Sequence, residues 1–254
     1  MIKLGIIGVG TIACAVVKGL KAKYGDDLSV YLSPRNAAKA EALAKEYKDV
    51  KVTGSNQEVV DAADWIVFSV LPSAAEETAR ALSFAPRHRV ISLVSSAKLE
   101  DLTAWFATRP SLCRVIPQTF IEHRTGPVLV YPADPGVVDL FTGLGEVITP
   151  VSEEAFNLAQ TLSCVMGPFF FWLDRVVAWM KDCGLPPEQS AAYLEALFPA
   201  MTDYASRTSP RELDELWKEV TPGGLNEMAI RMIREDGGFE AWIRALDAVR
   251  KRII

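Results

Sequence analysis

The spacing Gly8-Val9-Gly10-Thr11-Ile12-Ala13 binds phosphate with backbone rather than side chains. Gly8 permits a tight turn, Gly10 has no Cβ to hold a pyrophosphate away, and Ala13 lets a helix pack close to its strand. Apolar Leu4-Gly5-Ile6-Ile7 before the motif and the helix-competent run to Tyr24 after it supply the context it requires. Phosphates are then expected at the helix N-terminus, over Thr11 and Ile12, where free N–H groups and the helix dipole favour negative charge. The residues just past the second strand decide which dinucleotide is bound. A carboxylate there would accept from the ribose 2′-OH of NAD, but this chain has Ser33-Pro34-Arg35-Asn36. A hydroxyl and a guanidinium bind a 2′-phosphate that a carboxylate would repel, so the expected cofactor is NADP(H). The plainer alternative makes Arg35 a solvated residue at a helix start.

Three more loops come after apolar strands: Val70-Leu71-Pro72, Ser95-Ser96 and Pro117-Gln118-Thr119. Open α/β sheets bind ligands at the carboxyl ends of their strands, which makes these loops candidate site residues. Later in the chain, Gly167-Pro168 interrupts an apolar helix, where proline costs about 3 kcal/mol or more and can free backbone groups to face a ligand. A junction between two helices accounts for it equally well. Thr221-Pro222-Gly223-Gly224 opens a new helix whose N–H groups could hold a carboxylate, although a helix-to-helix turn is the simpler reading. Thr221 and Glu227 are the candidate catalytic residues. Glu122 and His123 are also placed to donate a proton, but fit better as a surface pair.

The elements that must position these residues alternate in the first half and are uniform in the second. Strands are expected at Leu28–Leu32, Val50–Thr53, Trp65–Leu71, Val90–Val94, Cys113–Ile116, Val128–Tyr131 and Glu146–Thr149. Helices are expected at Ala37–Tyr47, from Asn56 to about Asp61, at Lys98–Thr108 and at Val137–Leu144. Beyond Val151 the pattern is helical: Glu153–Met180, Pro187–Ser206, Pro210–Val220, Leu225–Asp236 and Phe239–Ile254. The expected fold is an α/β Rossmann-type nucleotide-binding domain, residues 1–151, followed by an all-α C-terminal dimerisation domain, residues 152–254. Phe169-Phe170-Phe171-Trp172 cover most of a helix's circumference and suggest a core or subunit interface.

Composition narrows the function classes. The 254 residues carry a net charge of -5, and no basic patch is interleaved with aromatics, which argues against a nucleic-acid partner. Cys14, Cys113, Cys164 and Cys183 form no C-x-x-C pair, and there are only 2 histidines, so neither a disulfide framework nor a metal centre is expected. The apolar run Cys164 to Leu173 is too short to span a bilayer, and the apolar N-terminus is the glycine motif rather than a signal peptide. The expected setting is cytoplasmic, without membrane association.

These segments together resemble pyrroline-5-carboxylate reductase nearly end to end. The resemblance is carried by Gly8 to Ala13, Ser33 to Asn36, Asn56 before Glu58, Val70-Leu71-Pro72 and Arg114-Val115-Ile116-Pro117-Gln118-Thr119. It continues through Leu144-Gly145-Glu146, Leu162-Ser163 with Gly167-Pro168, and Val220 to Gly224 before a helix reaching Gly237-Gly238-Phe239. It implies a Rossmann domain on an intertwined helical dimerisation domain, as a homodimer or larger homo-oligomer, with NADPH donating hydride to an imine carbon. Its implied cofactor contacts are Gly8, Gly10, Thr11, Ile12, Ser33, Arg35, Asn56, Val70, Leu71, Pro72 and Ser95. Its implied substrate contacts are Pro117, Gln118, Thr119, Gly167, Pro168, Thr221, Gly223, Gly224 and Asn226.

The departures from that family fall at the substrate end. Leu225 and Asn226 stand where the family has threonines that help to bind the substrate carboxylate, and Cys164-Val165-Met166 is bulkier than the family's serine–glycine block. Leu71 and Gln118 also replace the usual residues. The leading expectation is an NADPH-dependent reductase of a cyclic imine, with 1-pyrroline-5-carboxylate to L-proline as the first candidate reaction and a different imine as its rival. A β-hydroxyacid or imine dehydrogenase of the same architecture, and an NADPH sensor without catalysis, are the alternatives.

Overall fold

Val and Ile runs in the first half make strands covered on both faces, and their side chains divide by alternation. In the fourth strand Ile66 and Phe68 join one buried cluster with Val59, Ala75 and Leu102, while Val67 joins the other with Val16, Val30 and Leu140. The computed structural model describes residues 1–207 and 213–253. Its eight strands are β1 (Ile2–Ile7), β2 (Leu28–Leu32), β3 (Val50–Val52), β4 (Trp65–Phe68), β5 (Arg89–Ser92), β6 (Ser111–Pro117), β7 (Pro127–Tyr131) and β8 (Glu146–Ile148). They form one sheet in the order β3-β2-β1-β4-β5-β6-β7-β8. Between them lie α1 (Thr11–Tyr24), α2 (Ala37–Glu46), α3 (Asn56–Ala62), α4 (Pro72–Arg80), α5 (Leu99–Trp105) and α6 (Pro135–Phe141). This is the expected Rossmann-type half: β1 pairs in parallel with β2 and β4, so the chain reverses its direction of travel across the sheet beside β1.

One pairing departs from a wholly parallel sheet. β6 and β7 are antiparallel, because only residues 118–126 join them, and a parallel return needs a crossover of a dozen or more residues.

Two compact units divide the chain, Met1–Ser163 with Arg250–Ile254, and Cys164–Val249. The first unit therefore extends past the expected limit at residue 151 to include α7 (Glu153–Thr161). The reason is Arg114 on β6, whose guanidinium is 1% exposed and must find acceptors. Its Nη1 donates to Glu153 Oε1 (2.6 Å) and Asn157 Oδ1 (2.9 Å) of α7, and its Nη2 donates to the Ser95 carbonyl (3.0 Å). Phe156 lies beneath the guanidinium at 4.6 Å.

The second unit holds α8 (Met166–Asp182), α9 (Pro187–Arg207), α10 (Leu213–Leu216), α11 (Leu225–Glu235) and most of α12 (Gly238–Ile253). The start of the expected helix Pro210–Val220, and Ile254, lie outside the described residues. The expected single helix Glu153–Met180 is two: a 3-10 turn, Leu162–Val165, separates α7 from α8. Gly167-Pro168 thus sits in the first turn of α8, where proline's missing N–H has no intrahelical acceptor to lose, and the junction reading holds. The stretch Glu153–Asp182 is the one among the described residues long and apolar enough to cross a membrane. Its α7 part, however, carries buried Asn157, Gln160 and Thr161.

Buried polar groups set two expectations for stability. Glu153→Ala leaves Arg114 charged and short of an acceptor, and is expected to cost about 3–5 kcal/mol in urea unfolding. His88 is 2% exposed and its Nδ1 accepts the Ala85 N–H (2.8 Å), so protonating it would set two donors against each other. Burial, with Arg87 adding to it, holds the imidazole below its ordinary value. The folded state therefore resists a proton that the unfolded chain takes up below about pH 6.5. Stability is full above that pH and falls below it, by at most about 1.4 kcal/mol per pH unit from this group. His88→Asn retains an acceptor and is expected to remove that part of the slope in unfolding curves recorded from pH 7 to 5.

Candidate functional site

The turn after β1 is clamped from both sides. Gly8 has φ +93°, and a Cβ there would lie 2.4 Å from the Ser69 carbonyl at the end of β4, so only glycine fits. Its N–H donates to Ser33 Oγ (3.0 Å), and Asn36 Nδ2 donates to the Val9 carbonyl (3.0 Å). Gly10 is the N-cap of α1 and has no atom within 4 Å of its Cβ position, an open space next to backbone that a bulky ligand group can enter. No side chain caps α1 and no acidic residue lies in its first turn, which leaves the N–H groups there to an anion. Thr11 is exposed and Ile12 half-buried at that opening.

The expected 2′-phosphate residues separate in the structure. Arg35 is exposed at the start of α2. Ser33 is 1% exposed and faces inward, because its hydroxyl accepts the Gly8 N–H; it supports the loop rather than meeting a phosphate. Lys39, which sequence reasoning passed over, is a second cation near the start of α2. In the first turn of α2, it donates from Nζ to Thr11 Oγ1 (2.8 Å) and brings a cation to the mouth of α1. Its position three residues after Asn36 was the available signal.

Along the strand ends, Asn56 opens α3, but Ser55 is the cap: its Oγ accepts the Glu58 N–H (3.2 Å). Pro72, expected in a loop, is the first residue of α4, with half-buried Val70 and exposed Leu71 before it. The Ser95 carbonyl accepts from Arg114 Nη2 and from Gln160 Nε2 (3.0 Å each), leaving the Ser95 side chain exposed. Pro117 is buried at the end of β6, and Gln118 Nε2 donates to Ser163 Oγ (2.8 Å). Thr119 instead begins a 3-10 turn and lines a cleft of about 280 Å³ with Thr11, Cys14, Lys18, Lys39 and Glu122. That turn seats on α1 through Gly19, where a Cβ would lie 2.3 Å from the Ile121 carbonyl. Glu122 pairs with Lys18 (3.7 Å) and with exposed His123 (3.5 Å) as a surface group.

The remaining candidates belong to the helical unit. Gly167 and Pro168 lie in the first turn of α8. In the turn before α11, the Gly224 N–H donates to the Thr221 carbonyl (2.8 Å) and the Gly223 N–H to the Glu227 carboxylate. Thr221, Asn226 and Glu227 are exposed. Gly223, Gly224 and Glu227 line a groove of about 600 Å³ with Trp217, Met228, Arg231 and Arg234. Among the described residues, no cluster of His, Cys, Asp and Glu is arranged to hold a metal ion.

A family model described as an NADP oxidoreductase, coenzyme F420-dependent, matches residues 3–96. Pyrroline-5-carboxylate reductase of Pseudomonas aeruginosa is 27% identical, over 98% of this chain and 95% of that protein. The solved 1-pyrroline-5-carboxylate reductase of Streptococcus pyogenes superposes with a TM-score of 0.86 at 19% identity, covering 99% of this chain and 97% of that one. The Plasmodium falciparum pyrroline carboxylate reductase, solved with NADP bound, gives 0.83 at 17% identity, covering 99% and 96%. Those two structures share this chain's two-part fold.

The glycine turn yields a separable test. Gly10→Ala places its Cβ in open space and is expected to change the thermal midpoint little while weakening dinucleotide binding by calorimetry. Gly8→Val collides with the Ser69 carbonyl and is expected to lower the midpoint itself.

Proposed function

We propose that this chain, a divergent relative of the pyrroline-5-carboxylate reductases, is an NADPH-dependent reductase of the carbon–nitrogen double bond of a small cyclic imine. The observation that carries this reading is the uncapped N-terminus of α1 above Gly10, with Lys39 beside it and Arg35 rather than a carboxylate following β2. The residues fit the dinucleotide: the first turn of α1 holds its pyrophosphate, and Arg35 with Lys39 holds the 2′-phosphate. Asn56, Val70-Leu71-Pro72 and Ser95 border the strand ends along which the rest of the cofactor lies. NADPH supplies the hydride when bound; imine, NADPH and a proton give amine and NADP+. A protonated imine is already electrophilic, so the protein's task is alignment and exclusion of water.

On the substrate side we assign Pro117, Gln118, Gly167, Pro168 and the Thr221 to Asn226 turn. The Thr221 hydroxyl is the proposed hydrogen-bond acceptor for the N–H of the protonated imine. The name of the Pseudomonas aeruginosa relative makes 1-pyrroline-5-carboxylate, reduced to L-proline, the first substrate to test. The four cysteines are free, which suits a reducing, cytoplasmic setting.

The working form is a homodimer built through the helical unit. Among that unit's described residues Ser190 alone is buried, while Phe171, Trp179 and Ile243 are 60% exposed or more. An apolar surface of that kind is stable when another chain covers it.

In an assay of nicotinamide absorbance, cyclic imines are expected to oxidise NADPH faster than NADH. Arg35→Ala is expected to raise the NADPH Kd at least about tenfold and to leave that for NADH nearly unchanged. Loss of neither preference nor affinity in that variant would remove Arg35 from the site. In sedimentation the protein is expected to run as a dimer, and Phe171→Asp to shift it towards monomer.

A further inference from the structure

The turn that opens α11 already holds a carboxylate, and it is the chain's own. The Gly223 N–H donates to Glu227 Oε2 and the Gly224 N–H to the Thr221 carbonyl, so neither glycine N–H is left for an incoming anion. Glu227 has no ion-pair partner within 4 Å among the described residues, and its carboxylate stands at the head of the groove. Arg231 and Arg234 line the same groove, but they lie four and seven residues on, roughly 6 and 10 Å down the helix axis. Trp217, Met228 and Ile230 make up the apolar lining.

We propose that Glu227 sets the substrate class by excluding a carboxylate from this turn, so that the preferred imines are rings with no anionic group on the side that faces α11. The inference rests on the reductase reading of this chain. A ring carboxylate entering the turn meets the uncapped N–H groups of Leu225 and Asn226 and comes to lie beside Glu227, and two carboxylates that close together cannot both stay ionised without cost. An uncharged ring, or one whose only charge is the protonated imine, meets no such opposition and is drawn by the same carboxylate.

The test compares kcat/KM for 1-pyrroline and 1-pyrroline-5-carboxylate in wild type, Glu227→Gln and Glu227→Ala, and measures L-proline binding to each by calorimetry with NADP+ present. Wild type is expected to favour the unsubstituted ring. The carboxylated-to-unsubstituted ratio is expected to rise at least about tenfold in Glu227→Ala, the order expected for removing one like charge near a surface, and by less in Glu227→Gln, which keeps the hydrogen bond without the charge. L-Proline is expected to bind more tightly to Glu227→Ala by a similar factor. An unchanged ratio and unchanged L-proline affinity overturn the inference. Tighter L-proline binding with no imine reduced by any variant supports the inference for this turn and instead removes the reductase reading.

Discussion

Arg114 carries a charge that no solvent reaches and that cannot be released, so the surrounding chain has to be arranged to meet it. Its three acceptors come from two places: the carboxylate and amide of α7 and the carbonyl after β5. Glu153 also accepts the Leu99 N–H (2.7 Å), so the same carboxylate anchors the start of α5. An apolar cluster would have held α7 against the sheet about as strongly, but with latitude in register. The guanidinium fork fixes which residues meet, and with them the seat of α7 against β6 and the loop after β5.

The turn after β1 depends on Gly8. Its N–H, its positive φ and its contact with Ser69 tie β1 to the ends of β2 and β4. The order of the first strands was legible in the sequence because a backbone phosphate loop demands particular residues at fixed spacing and a strand and helix around them. The direction of Ser33 was not. It lies one residue past β2, beyond the reach of the alternation that orients Leu28, Val30 and Leu32. Pro72 had a readable meaning, since proline favours the first helical position, yet the apolar run before it suggested strand and loop. The reversal at β7 was written in the short connection rather than in the strands themselves.

The helical half was legible in its elements and opaque in its contacts. Periodicity marks α9, α11 and α12 well, but an amphipathic face does not reveal whether its cover comes from the same chain. Here Phe169 and Trp172 meet Phe198 edge-on within the unit, and much of the rest of the apolar surface has no intrachain cover. Glu227 was visible as a polar residue one turn into a helix, but its bond to Gly223 depends on the φ of +71° at that glycine, which sequence does not give.

The inward hydroxyl of Ser33 also constrains how this protein can change. In dinucleotide folds the residues just after the second strand are where one cofactor is exchanged for the other, commonly by bringing in an acidic side chain. At Ser33 that route is closed: a longer carboxylate would enter a fully enclosed space and set a negative charge where the Gly8 amide now has its acceptor. On the proposed reading, preference for the two cofactors drifts through Arg35, Asn36 and Lys39, at the start of α2. In lineages descended from this chain, position 33 is therefore expected to vary little while its neighbours turn over, a sign of mechanical rather than chemical selection.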